Sequence, residues 1–333
     1  MSGPQMSGQA MAPRTATRPA PWAFAAPWGA RGYVTDLDGP VHGVEFGEDS
    51  GRGPGQDGEP PIVFVHGLGG SHLNWCLIGS VLAANRRVVA LDLHGFGLTP
   101  GTRGTATVQR NARLLDRFVR EVTGTPVILA GNSMGGLISI LQTAAAPDTV
   151  GGLVLIDPAL PLPRRVPDRQ VGSQFLLYAL PGLGEVYVRT FMTRTPPQLA
   201  VQRVIELCFA DPSRADPAML TASIALAAER QSQRTRARDQ AFLAASRSLM
   251  RVVGQRRRYW EMMASVRVPV LLIGGEADRL VPVASMRQAA ARNPRWETVI
   301  LPGVGHTPQL EVPDAVTETL RDWLGRHFAP TAG

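Results

Sequence analysis

Gly131-Asn132-Ser133-Met134-Gly135 constrains this chain more than any other segment. The run before it, Pro126-Val127-Ile128-Leu129-Ala130, is short, apolar and partly β-branched, which suits a buried strand. Leu137-Ile138-Ser139-Ile140-Leu141 then continues with residues that a helix accepts. The segment therefore reads as strand, sharp turn, helix. Gly131 and Gly135 lack the Cβ atoms that would clash where the helix folds back over the strand, so the Ser133 hydroxyl stands exposed above the sheet edge as a candidate nucleophile.

A nucleophile attacking a carbonyl needs donors for the oxyanion it creates, and a second turn upstream offers them. Ile62-Val63-Phe64-Val65 reads as another buried strand and runs into the glycine-rich loop His66-Gly67-Leu68-Gly69-Gly70. The backbone amides of Leu68 and Met134 form the natural donor pair, while His66 at the front of the loop suits a structural hydrogen bond.

The base and its orienting acid lie near the C-terminus. Thr298-Val299-Ile300-Leu301 reads as a strand leading through Pro302 into Gly303-Val304-Gly305-His306, which makes His306 the general-base candidate. Val268-Pro269-Val270-Leu271-Leu272-Ile273 is one more buried strand, followed by Gly274-Gly275-Glu276-Ala277-Asp278. Asp278 is the leading candidate to orient the imidazole. Glu276 is a rival, and so is Asp157 at the end of the strand that closes with Leu155-Ile156. The order Ser133, Asp278, His306 is the one expected of an α/β-hydrolase rather than of serine proteases with other folds.

With these residues the chain resembles the α/β-hydrolase family from about Tyr33 to Phe328, except across its middle. The resemblance implies a mostly parallel sheet with helices on both faces and a helical cap inserted after the sixth strand. Its domain reading is a disordered leader over 1–30, a core over 31–157 and 268–330, and a cap over 158–267. Leu91-Asp92-Leu93-His94-Gly95-Phe96-Gly97 also resembles a family loop, although Leu98-Thr99 stands where serine is usual, and Glu311 falls at the start of the last helix as a structural residue. The implied activity is serine-dependent cleavage of a small carboxylic ester through an acyl-enzyme, with no metal or organic cofactor. Two alternatives remain. The turn Gly131-Asn132-Ser133-Met134-Gly135-Gly136 resembles that of meta-cleavage-product hydrolases, which break carbon-carbon bonds, but Thr307 follows His306 where those enzymes commonly carry Trp. The other alternative is a binding protein of hydrolase fold without turnover.

Within the middle segment the strand-helix alternation stops, and 174–180, 199–209 and 219–228 read as helices. The formal charge of +7 comes from this region, where Leu160 to Trp260 holds sixteen Arg against seven acids. Arg230, Arg234 and Arg238 recur every four residues and would share one face of a continuous helix. A solvated face explains them in a chain without Lys, with contact to an anionic substrate or membrane surface as the other reading. No nucleic-acid-binding motif accompanies the charge. Gly47 to Pro60 reads as a flexible loop between strands. Cys76 and Cys208, far apart and without metal spacing, suit a reduced cytoplasmic setting.

Overall fold

A computed structural model describes residues 18–19, 24–47, 59–161 and 177–328. The first part of the expected leader, most of the 47–60 loop and residues 174–176 of the first expected cap helix lie outside them. Nine strands form one sheet: β1 (Arg18–Pro19), β2 (Ala30–Asp36), β3 (Pro40–Phe46), β4 (Ile62–Val65), β5 (Val88–Leu91), β6 (Val127–Asn132), β7 (Val150–Ile156), β8 (Val270–Gly275) and β9 (Glu297–Leu301). Their order is β1-β2-β3-β5-β4-β6-β7-β8-β9. The pairs from β5 through β4, β6, β7 and β8 to β9 are parallel, and the β1-β2-β3 edge joins β5 antiparallel.

The inner parallel strands β4, β5, β7 and β8 are apolar throughout because both faces are covered, whereas the edge strand β9 opens on Glu297 and Thr298 and is only partly buried. Val63, Val65, Val127 and Leu129 face one layer, built from α2 (Val108–Phe118), α3 (Met134–Ala145) and α9 (Val283–Arg292). Ile62, Phe64, Ile128 and Ala130 face the other, where α1 (Cys76–Leu82) and α10 (Pro313–Phe328) contribute Ile78, Leu320 and Trp323. Truncating a strand residue such as the fully buried Leu129 to Ala would cost about 2–5 kcal/mol.

Between β7, the sixth strand counted from Ala30, and β8 the chain forms α4 (Leu183–Arg194), α5 (Pro197–Cys208), α6 (Pro217–Ser232), α7 (Arg236–Gly254) and α8 (Arg256–Ser265). Ala25 and Ala30 are buried around a short 3-10 turn over Ala26–Trp28. Tyr259, Trp260 and Met263 of α8 are buried in the layer that covers the sheet, and the Tyr259 hydroxyl donates to the Ala159 carbonyl at 2.7 Å.

The three arginines do not share a helix face. The helix breaks at 233–235, where the Thr235 side chain caps α7 by accepting from the Arg238 N–H at 3.3 Å. Arg234 sits in the break and pairs with Asp239. Arg247, farther along α7, makes a two-pronged pair with Glu185 at 2.8 and 3.1 Å. No helix among the described residues is long and apolar enough to cross a membrane.

Candidate active site

Every candidate group sits where a parallel strand ends, all on the same side of the sheet, as expected for ligand sites in open α/β sheets. Ser133 follows β6 with φ 55° and ψ −118°, a backbone conformation that costs roughly 1–3 kcal/mol and persists because its surroundings fix it. The flanking glycines allow it. A Cβ on Gly135 would stand 2.0 Å from the Val65 carbonyl oxygen, and one on Gly131 would stand 2.5 Å from that of Gly135. Ser133 is half-buried, whereas the side chains around it are buried.

The His66–Gly70 loop lies against this turn, since a Cβ on Gly67 would meet the Ser133 Cβ at 3.1 Å. Met134 opens α3, so its N–H belongs to the first turn and lacks a helical partner. His66 accepts from the Leu93 N–H at Nε2 (3.0 Å) and donates from Nδ1 to the Gly67 carbonyl (2.8 Å). Both ring nitrogens are thereby used in holding the loop. Burial pushes its pKa down to about 4, so the ring is neutral.

His306 and Asp278 are brought together. The His306 Nδ1–H donates to Asp278 Oδ2 at 2.7 Å, with both side chains buried, and this leaves Nε2 as the free acceptor. Asp278 Oδ1 in turn accepts from the Leu280 and Val281 N–H groups at 2.7 and 3.0 Å. Glu276 is exposed and takes no part. Asp157 is fully buried, and burial followed by the nearby Asp278 charge pushes its pKa well above the usual carboxylate range.

The sequence reading did not single out Asn132. Its side-chain amide donates to the carbonyls of Ile156 (3.0 Å) and His306 (3.1 Å), which couples the strand bearing Ser133 to the loop bearing His306. The available signal was an amide at the end of an otherwise apolar strand. Glu311 has a similar structural task, accepting from the N–H groups of Gly305 (2.8 Å), Ala210 (3.1 Å) and Asp211 (3.0 Å). The His306 N–H also reaches the Cys208 carbonyl at 2.6 Å, so the end of α5 is fastened to the His306 loop.

A further polar cluster, also missed, joins His42, His72 and Asp92, whose potential ligand atoms lie within 4.8 Å of one another. Its hydrogen bonds argue against a metal. Asp92 accepts from His42 Nδ1 (2.8 Å), His72 Nδ1 (3.0 Å) and the N–H groups of His72 (2.7 Å) and Leu98 (2.9 Å), which occupies its lone pairs. Burial alone would raise the Asp92 pKa, but the His72 charge and the imidazole hydrogen bonds hold it well below the usual carboxylate range. The cluster anchors the loop after β5 to strand β3 and to the turn after β4.

A strained serine at a strand-to-helix turn, beside a glycine loop and a His-Asp pair, calls for comparison with known proteins. A family model described as the Alpha/beta hydrolase family matches residues 62–319. The chain belongs to this family. Among curated relatives, the dihydrolipoyllysine-residue acetyltransferase component of the acetoin cleaving system of Pseudomonas putida is 27% identical over 279 residues. That alignment covers 82% of this chain and 65% of the relative, so the chain spans just under two thirds of its length. A 2-hydroxy-6-oxo-6-(2'-aminophenyl)hexa-2,4-dienoic acid hydrolase of Metapseudomonas resinovorans is 25% identical, with 80% and 84% of the two chains covered. A solved structure described as a membrane phospholipase A superposes with a TM-score of 0.68 and 25% identity, covering 91% of this chain and 88% of the other. The chain is thus of α/β-hydrolase type, and the names of its relatives range from an acetyltransferase component to a dienoic acid hydrolase and a phospholipase.

Proposed function

We propose that the protein hydrolyses a carboxylic ester through a Ser133 acyl-enzyme. The observation that carries this reading is the buried 2.7 Å His306–Asp278 hydrogen bond beside the strained Ser133 turn. His306 Nε2 takes the Ser133 proton as Oγ attacks the ester carbonyl. The amides of Leu68 and Met134 receive the oxyanion, and each such donor typically contributes roughly 10²–10³ in rate. The imidazolium, stabilised by Asp278, then protonates the departing alcohol. Water, activated by the same imidazole, attacks the acyl-enzyme and releases the acid. The helices between β7 and β8 act as a cap that shapes the pocket, and the phospholipase likeness supports an ester as the scissile bond. A burst of p-nitrophenol from a p-nitrophenyl ester, absent in Ser133→Ala, tests this reading; steady turnover by Ser133→Ala refutes it.

Carbon-carbon hydrolysis is the second reading, favoured by the dienoic acid hydrolase relative. It ranks below the ester because Thr307, not Trp, follows the base.

A further inference from the structure

Gly69 lies under a ring contributed by the inserted helices. Its φ of 79° is in the left-handed region, and a Cβ there would stand 3.8 Å from Cε2 of Phe242 on α7. The core fixes the position of that ring. Ala241 is fully buried and packs so closely on Gly95 that a Cβ at Gly95 would stand 2.7 Å from the Ala241 Cβ. Ser248, about two turns farther along α7, accepts from the Val108 N–H at 3.0 Å. Sliding α7 would break both contacts, so Phe242 is held over the glycine loop.

Phe242 stands in a row of rings. His66 packs edge-on against Phe96, with centroids 5.7 Å apart and 70° between planes. Phe96 meets Phe242 at 6.5 Å and 62°, and Phe242 meets Tyr178 at 5.3 Å and 85°. These are the edge-to-face arrangements that aromatic quadrupoles favour. Arg247 on the same helix fastens the Tyr178 end of the row. Its guanidinium donates to the carbonyls of Tyr178 (3.0 Å) and Leu180 (3.2 Å) and to both Glu185 carboxylate oxygens. His66 and Phe96 are fully buried, whereas Phe242 and Tyr178 keep part of their surface open.

The open rings are close to Ser133. Gly67 lies against the Ser133 side chain, and consecutive Cα atoms are about 3.8 Å apart, so Gly69 is at most about 7.6 Å from Gly67. Leu68, whose amide is the proposed oxyanion donor, lies between them, and its side chain borders the same apolar cluster as Phe242. We propose that Phe242 and Tyr178 form an aromatic subsite beside Gly69, and that the substrate is an ester carrying an aryl group a few bonds from its carbonyl. A planar ring entering there extends the row and gains edge-to-face contacts that a saturated ring of the same carbon count does not make.

This inference rests on the Ser133 ester reading, and matched substrate pairs separate the two. Ethyl phenylacetate against ethyl cyclohexylacetate probes the acyl side, and benzyl acetate against cyclohexylmethyl acetate probes the alcohol side. Within each pair the aryl-to-alicyclic ratio of kcat/KM, divided by the wild-type ratio, cancels intrinsic reactivity. Phe242→Leu should lower that ratio by about 3- to 10-fold in one of the pairs, which assigns the subsite to the acyl or the alcohol side. Phe242→Tyr restores the ring and should keep the ratio within about 2-fold of wild type. Tyr178→Leu, at the more peripheral ring, should lower the same ratio by at least about 3-fold and carries the test if Phe242→Leu does not fold. A ratio held within about 2-fold in both pairs by Phe242→Leu, or by Tyr178→Leu in its stead, would overturn the proposal, and so would an equal loss in Phe242→Tyr and Phe242→Leu. Should wild type hydrolyse no ester, binding decides alone. NMR titration should then show 2-phenylacetamide or N-benzylacetamide binding more tightly than its cyclohexyl counterpart, with the preference lost in Phe242→Leu; that result leaves the subsite standing and the ester reading refuted, whereas equal binding refutes the subsite.

Discussion

The Asn132 side-chain amide donates 3.1 Å to the main-chain carbonyl of His306, linking two residues that lie far apart in sequence but adjoin across the ends of β6 and β9. The second amide hydrogen goes to Ile156, so one side chain sets the spacing between the Ser133 turn, the end of β7 and the His306 loop. A displacement of about 1 Å at such a site can cost on the order of 10²-fold in rate. Asn132→Ala should therefore lower kcat by roughly 10- to 100-fold with KM nearly unchanged. Steady-state kinetics on a p-nitrophenyl ester, with circular dichroism to verify folding, would measure this. A loss confined to KM would show that Asn132 contacts substrate instead.

Ser133, His306 and Asp278 should behave as one unit. Ser133→Ala and His306→Ala should each reduce ester turnover by on the order of 10⁴ or more, and the double variant should be no worse than about either single change. Additive losses would mean that the two groups act independently. Asp278→Asn should remain folded yet slow acylation strongly, because the amide favours the wrong His306 tautomer. If Asp157→Asn proved the more damaging, Asp157 would be the acid.

The strands were legible because parallel β-segments covered on both faces must be apolar over their whole length, as 62–65, 127–130 and 270–273 are. The turn at Ser133 was legible for a related reason: only residues without Cβ fit at 131 and 135, and the sequence has glycine at both. Long-range polar pairing was not readable in this way. Nothing local in Asn132 announces His306, and nothing in His42 or His72 announces Asp92, because each hydrogen bond depends on which strand ends become neighbours. The regular spacing of Arg230, Arg234 and Arg238 misled in the opposite direction. Periodicity cannot see that Thr235 caps a new helix and interrupts the old one.

Acid should unfold the protein in two stages with different causes. His66 has a folded pKa of about 4 against an ordinary 6.5, so between those values the unfolded state binds more protons. Its stabilisation is complete above pH 6.5 and lost as pH falls toward 4; at about 1.4 kcal/mol per pH unit this amounts to about 3 kcal/mol. Asp92, also depressed, loses its stabilisation only below the ordinary carboxylate value of 3.8. Urea unfolding between pH 4 and 7 should therefore show a slope that His66→Gln flattens and Asp92→Asn does not. A slope indifferent to His66→Gln would mean that the ring is charged in the folded protein.

The bond that is cleaved can be decided by comparing substrates. An ester needs only an alkoxide leaving group that His306 can protonate, whereas carbon-carbon cleavage also requires the pocket to hold a ketonised dienoate through polar groups. In this chain Thr307 follows His306 where meta-cleavage-product hydrolases commonly carry Trp. Short and medium p-nitrophenyl esters should accordingly be turned over at kcat/KM values at least about 10²-fold above that of a 2-hydroxy-6-oxo-dienoate, which corresponds to about 3 kcal/mol of transition-state preference. The same assay tests the arginines of the inserted helices. Arg234 and Arg247 are already paired with acids, so they have little charge to spare for steering. Turnover of a charged ester should then respond to added salt no more than that of a neutral one. A selective loss for the anionic ester would identify these helices as an anion-steering surface, and preferential dienoate cleavage would make carbon-carbon hydrolysis the function.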